Sequence, residues 1–171
     1  MTPLLERASR PLHALLVPIC LWLAASSPWL ALYAEVPEDA GWIDHAHVWL
    51  GLAALPLAAA YFVACLQGGL WRTYYPWAAG ELGGLKRDLT GLLRLRRPMS
   101  EGGGLFSTLE GLLLLALLAT AASGALWFAL QGSAAAVTLR ALHIGAAQLF
   151  IVLAAAHVAA VALHLVDLLG A

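Results

Sequence analysis

Long apolar stretches separated by short polar ones run the length of this chain. Four of them contain no Asp, Glu, Lys or Arg: 11–34, 45–71, 111–139 and 141–166, of 24, 27, 29 and 26 residues. A hydrocarbon layer of about 30 Å is crossed by roughly 20 helical residues, so each stretch is long enough to span alone. None alternates apolar with polar at period two, which sets aside a membrane β-barrel. The pattern predicts an all-α, integral-membrane four-helix bundle forming a single domain over 1–171, with helices at about 11–34, 45–67, 105–130 and 138–167. Arg7 and Arg10 precede the first apolar run as they would in a signal peptide. That run outlasts an h-region of about 7–15 residues and carries His13 at its entrance, so it reads as helix one.

Composition agrees: 62% of residues are hydrophobic and 11% charged, against roughly 45–50% and about 25% in soluble domains. Mean hydropathy is +0.83. A net charge of -1 supplies no basic surface for nucleic acid, and two cysteines build neither a disulfide framework nor a zinc cluster. Cys20 and Cys65 read as packing residues. Charge placement gives an orientation. Eight of the nine Lys and Arg residues lie before helix one (Arg7, Arg10) or in the segment from Arg72 to Arg97, and the loop between helices one and two is acidic, with Glu35, Glu38, Asp39 and Asp44. The positive-inside rule puts the basic segments, and with them both termini, in the cytoplasm. Segment 68–104 reads as a cytoplasmic loop; within it, Leu82 to Leu95 alternatively forms a short interfacial helix with leucine stripes and basic heads.

Ionisable residues inside a membrane are costly and mark function. Here they are histidines: His13 on helix one, His45 and His47 on helix two, His143, His157 and His164 on helix four. His143 and His157 are 14 residues apart, roughly 21 Å along a helix and only about 40° around it, so they share a side. With both termini inside, His47 falls level with His143 near the outer face, and His13 toward the level of His157 near the inner face. Two pairs of facing imidazoles suit two bis-histidine haems, which favour electron transfer over oxygen binding. Gly51, Gly145, Ala146 and Ala147 would give a porphyrin room, or simply let helices pack closely. Arg140, one turn before His143, is placed to meet a haem propionate outside, and Arg10 inside; either is alternatively an interfacial anchor. A zinc site wants three or four ligands at one depth, and a proton path wants acids through the bilayer, whereas Glu110 and Asp167 stand at span ends.

Arg10-Pro-Leu-His13, His47-Val-Trp-Leu-Gly51, Arg140-Ala-Leu-His143 and His157 fourteen residues on resemble the four-helix, two-haem cytochrome b superfamily. It includes the gamma subunits of membrane-bound formate dehydrogenases, the cytochrome b subunits of nickel-iron hydrogenases and thiosulfate reductases, and bacterial cytochrome b561. The resemblance implies that His47 and His143 bind the outer haem b, and His13 and His157 the inner one. His45 in place of His47, and His164 in place of His157, remain alternatives. Trp77 after Pro76, and Ser123-Gly124 before Trp127, are closer to the dehydrogenase and hydrogenase subunits. The chain's length and His164 lean toward cytochrome b561. Where the formate dehydrogenase subunits carry an Asn-Ala-Gly-Gln-Lys type motif beside their quinone site, this chain has Gly103-Gly104-Leu105-Phe106-Ser107. Glu101, Ser107 and Glu110 stand in as quinone-site candidates, each equally readable as a cap or loop residue.

The expected function is that of an electron-transfer subunit in a bacterial inner membrane, surrounded by lipid. It would link a catalytic or cytochrome partner outside to quinone, with two haem b as cofactors. Two rivals stand beside it: a self-sufficient, cytochrome b561-like quinone oxidoreductase, and a cofactor-free anchor or assembly protein whose histidines only hydrogen-bond between helices.

Overall fold

The computed structural model describes residues 3–67, 70–94 and 103–170, and all regular structure among them is helical. The elements are α1 (Pro3–Ser26), a 3-10 turn (Ser27–Trp29), α2 (Trp42–Leu66), α3 (Trp71–Tyr74), α4 (Pro76–Ala79), α5 (Gly83–Leu93), α6 (Leu105–Ala129) and α7 (Ala134–Gly170). Four helices are long and apolar enough to cross a bilayer, over Ser9–Trp29, Trp42–Leu66, Leu105–Ala129 and Ala134–Ala162. This is a multi-pass membrane protein. Its helices turn large apolar side chains outward, among them Leu21, Val63, Leu126, Leu149, Val152 and Val158, as lipid contact demands. Trp29 and Trp42, at span ends, are also exposed, where indole rings favour the headgroup level.

Three boundaries differ from the sequence expectation, for physical reasons. Helix one was expected at 11–34 and occupies Pro3–Ser26. Absence of charge delimits an apolar stretch, but Glu6, Arg7 and Arg10 do not stop a helix, because Glu and Arg are good helix formers. The helix runs through Pro11 and Pro18 and ends at Ser26, where the chain passes into a 3-10 turn with Pro28 at its centre. Helix four, expected at 138–167, begins earlier and runs to Gly170. The expected loop at 68–104 holds α3, α4 and α5, and α5 is a helix within the Leu82 to Leu95 stretch, although Leu95 itself lies outside the described residues.

The chain divides into two compact units. The first holds the described residues up to Ala64 with Ala116–Phe150. It packs Val48, Trp127 and Ala136 against Leu32, Val36, Leu52, Phe128 and Leu139. Above this core, the 30–41 connection is fastened to α6, α7 and the turn between them. Trp127 Nε1 donates to the Tyr33 carbonyl at 3.0 Å, Gly132 N–H to that of Ala34 at 3.0 Å, and Arg140 Nε to that of Leu32 at 2.9 Å. Asp44, 5% exposed, accepts from the N–H groups of Ala31 (2.8 Å) and Gly41 (3.1 Å), so one carboxylate both starts α2 and holds the connection.

The second unit holds Cys65–Leu115 and the described residues from Ile151 onward. Its organising contact is Asp88, a carboxylate only 3% exposed in the middle of a basic helix. Asp88 accepts the N–H of Leu105, the first residue of α6, at 3.0 Å. A Cβ on Gly104 would collide with that carboxylate, so the residue before α6 has to be glycine.

Candidate functional site

In the first unit, all four long helices converge on one pair of histidines. His47 comes from the second turn of α2 and His143 from α7; their ring centroids are 6.4 Å apart with planes at 85°. Two imidazoles that each give one nitrogen to the same metal at about 2 Å hold their ring centres roughly 6 Å apart, so the spacing suits a shared metal.

The second ring nitrogen of each is already engaged. His143 Nδ1 lies 2.9 Å from the Thr120 carbonyl in α6. A carbonyl only accepts, so Nδ1 carries the proton, and the Nε2 lone pair is left to act as a ligand. His47 Nδ1 lies 2.9 Å from Ser26 Oγ, at the end of α1. Ser26 Oγ also lies 3.2 Å from the Leu23 carbonyl; with its proton directed there, Oγ accepts from His47 Nδ1–H and leaves Nε2 as the basic nitrogen. In each ring Nδ1 is engaged by a protein oxygen, which leaves Nε2 as the nitrogen available to a ligand.

Glycine permits the arrangement on α6. A Cβ on Gly124 would stand 3.0 Å from both Cε1 and Nδ1 of His143, tight enough that the ring would have to give by a few tenths of an ångström, so the ring lies close on the α6 backbone. Gly51, one turn along α2 from His47, has no atom within 4 Å of where its Cβ would be, and the same holds for Gly145. A flat macrocycle against α2 would meet no side chain at that point. The donor set and the clearance both fit a bis-histidine haem.

His45 is exposed and bonds the Gly41 carbonyl through Nδ1 at 3.1 Å, so His47 rather than His45 faces His143. Arg140 donates from Nε to Leu32 and sits with its guanidinium 5.3 Å from the Tyr33 ring centre. His13, also in the first unit, is exposed and stacks on Tyr61 at 5.9 Å. Arg10 is exposed as well. His157 is half-buried in α7 within the second unit, so the two histidines expected as an inner pair belong to different units. The His164 side chain and all of Glu101 lie outside the described residues.

The remaining quinone-site candidates fall in the first two turns of α6. Ser107 is buried, Glu110 half-buried, and the neighbouring Thr108 is buried with no hydrogen-bond partner for its hydroxyl among the described residues. Gly111, one position on, lies against the Tyr74 carbonyl and the Tyr75 ring. Burial pushes the phenols of both tyrosines up to about 12, with Glu110 adding to the shift at Tyr74, so both are neutral hydrogen-bonding groups at physiological pH.

Sequence reasoning passed over Ser26, Thr120, Asp44 and Asp88. Ser26 precedes a Ser-Pro pair that signals only a helix end, and Thr120 contributes a backbone atom, which no residue type announces. Asp44 had been counted among the acidic loop residues, though its place three residues after Gly41 is that of a capping carboxylate. No protein-family model, curated protein or solved structure matches the chain.

Proposed function

We propose that this protein is a di-haem b-type cytochrome that carries electrons between a redox partner on the outer face of a bacterial inner membrane and the quinone pool. The observation that carries the reading is the His47–His143 pair: ring centres 6.4 Å apart, with each Nδ1 2.9 Å from a protein oxygen. Haem held there would supply a one-electron carrier inside the low-dielectric layer.

The chain's own residues would do the rest. Thr120 and Ser26 orient the two ligand rings and raise the basicity of their Nε2 atoms. Gly124 lets His143 lie against α6, and Gly51 leaves clearance along α2. Arg140, one turn from His143, is the candidate partner for a propionate. His13 and His157 are the proposed ligands of the second haem, following the superfamily resemblance. Ser107, Glu110 and the neighbouring tyrosines are the candidate hydrogen-bonding groups for a quinone. The cytoplasmic placement of both termini rests on the basic segments.

One observation also favours the rival without a cofactor. His47–Ser26 and His143–Thr120 are cross-helix hydrogen bonds, tying α2 to α1 and α7 to α6, and they would serve a pure anchor as well. Redox titration of the purified protein separates the readings. A b-type difference spectrum that develops on adding quinol supports the proposal, and a colourless protein after expression with ample haem rejects it. Copurification of a catalytic subunit would favour the subunit role, and quinone-linked turnover of the isolated chain with a soluble donor would favour the self-sufficient, cytochrome b561-like form.

A further inference from the structure

The second unit presents a surface that the electron-transfer reading does not use. On α5, at 100° per residue, Leu89 and Leu93 fall about 40° apart, and Leu85 and Leu92 widen the arc on one side. Lys86 borders the other side, followed by Arg87, and Arg94 caps the C-terminal end of the helix. Leu89 is 46% and Leu93 87% exposed, so the leucine arc is uncovered by the described protein. Lys86 and Arg94 form no ion pair among the described residues, and Arg87 reaches only its neighbour Asp88, at 3.4 Å.

The position of this helix relative to the bilayer follows from Asp88. That buried carboxylate is bonded to the N–H of Leu105, where a membrane-spanning helix begins. Leu105 opens a 25-residue helix of which roughly 20 residues cross the hydrocarbon, so α5 is held within a turn or two of the hydrocarbon boundary, at the membrane–water interface. Leucines on one arc and cations on the adjoining one match an apolar layer beneath a negatively charged headgroup plane. We infer that α5 is an in-plane membrane helix that seats its leucines in the acyl boundary and binds anionic lipid headgroups through Lys86, Arg87 and Arg94. This rests on the four spans and is independent of whether the protein binds haem.

The test uses the full-length protein in nanodiscs of pure phosphatidylcholine and of an equimolar phosphatidylcholine–phosphatidylglycerol mixture. Nitroxide labels at Leu93→Cys and Arg87→Cys report collision with oxygen, which concentrates in lipid, and with an aqueous nickel chelate; the unsubstituted protein is the labelling blank for Cys20 and Cys65. The expected result is a lipid-immersed label at position 93 and a water-accessible one at 87, with a larger immersed population at 93 in the anionic discs. Combining Lys86→Gln, Arg87→Gln and Arg94→Gln should lower that immersed-to-aqueous ratio by roughly five-fold per charge removed in anionic discs, and leave it unchanged in neutral ones. Nickel access at both labels would overturn the inference, as would equal immersion in the two lipids. A label at 93 shielded from both reagents would mean that protein, not lipid, covers the face, and would overturn it too.

Discussion

At the residue scale the central feature is a pair of neighbouring imidazoles, each with Nδ1 2.9 Å from a protein oxygen. Ser26 is the informative position, because the partner it offers His47 is a side chain and can be removed, whereas the acceptor of His143 is a backbone carbonyl that no substitution deletes. Ser26→Ala should weaken haem binding at this site by about 10- to 100-fold, the usual cost of losing the group that orients a ligand histidine. Ser26→Thr, which keeps the hydroxyl, should retain most of the affinity. Haem loss to an excess of acceptor protein measures both, and equal off-rates for wild type and Ser26→Ala would remove Ser26 from the site. Gly124→Ala should be the more damaging change: its Cβ must displace either the His143 ring or the α6 backbone, which the absorbance of the bound haem would report. Facing His47 and His143 were legible in the sequence, since matched depth on two spans follows from counting. Ser26 was not, because which side chain meets the far nitrogen of a ring depends on where α1 ends.

At the scale of elements, the bilayer did most of the predicting. A span has to be long, apolar and helical, so four of the helices could be read from charge-free runs alone. Their ends could not. α1 starts before its charges and stops ahead of Pro28, and the segment expected as a loop is organised by a contact between α5 and α6 that no periodicity encodes. Asp88 is the element-scale test. Removing a capping carboxylate costs about 0.5–2 kcal/mol, and Asp88→Ala should lower stability in detergent by about that much, since the part-buried Leu105 N–H then loses its side-chain acceptor. Asp44→Ala should cost a similar amount by freeing two N–H groups at once. Thermal unfolding followed by circular dichroism is the check; no change in either variant would mean that water replaces the carboxylates without penalty.

At the scale of the whole molecule, charge distribution carries the orientation. With basic residues concentrated at the start of the chain and between Arg72 and Arg97, a green fluorescent protein fused after Ala171 should fluoresce, and alkaline phosphatase at the same position should be inactive. The opposite pair of outcomes would reverse the assignment of faces, and with it the proposed sides for partner and quinone. The proposed partner and quinone rest on the superfamily resemblance, not on a contact among the described residues. What the chain itself supplies is one pair of neighbouring histidines, hydrogen-bonded to α1 and α6, and the proposed haem binding rests on that pair.

The most direct measurement of that claim is haem content per chain, by the pyridine haemochrome method with amino-acid quantification, on detergent-purified wild type, His143→Ala and His13→Ala. The account predicts two haem b per chain in the wild type and one in each variant. It would be contradicted by a wild-type protein without haem, or by a His143→Ala variant that keeps the full complement.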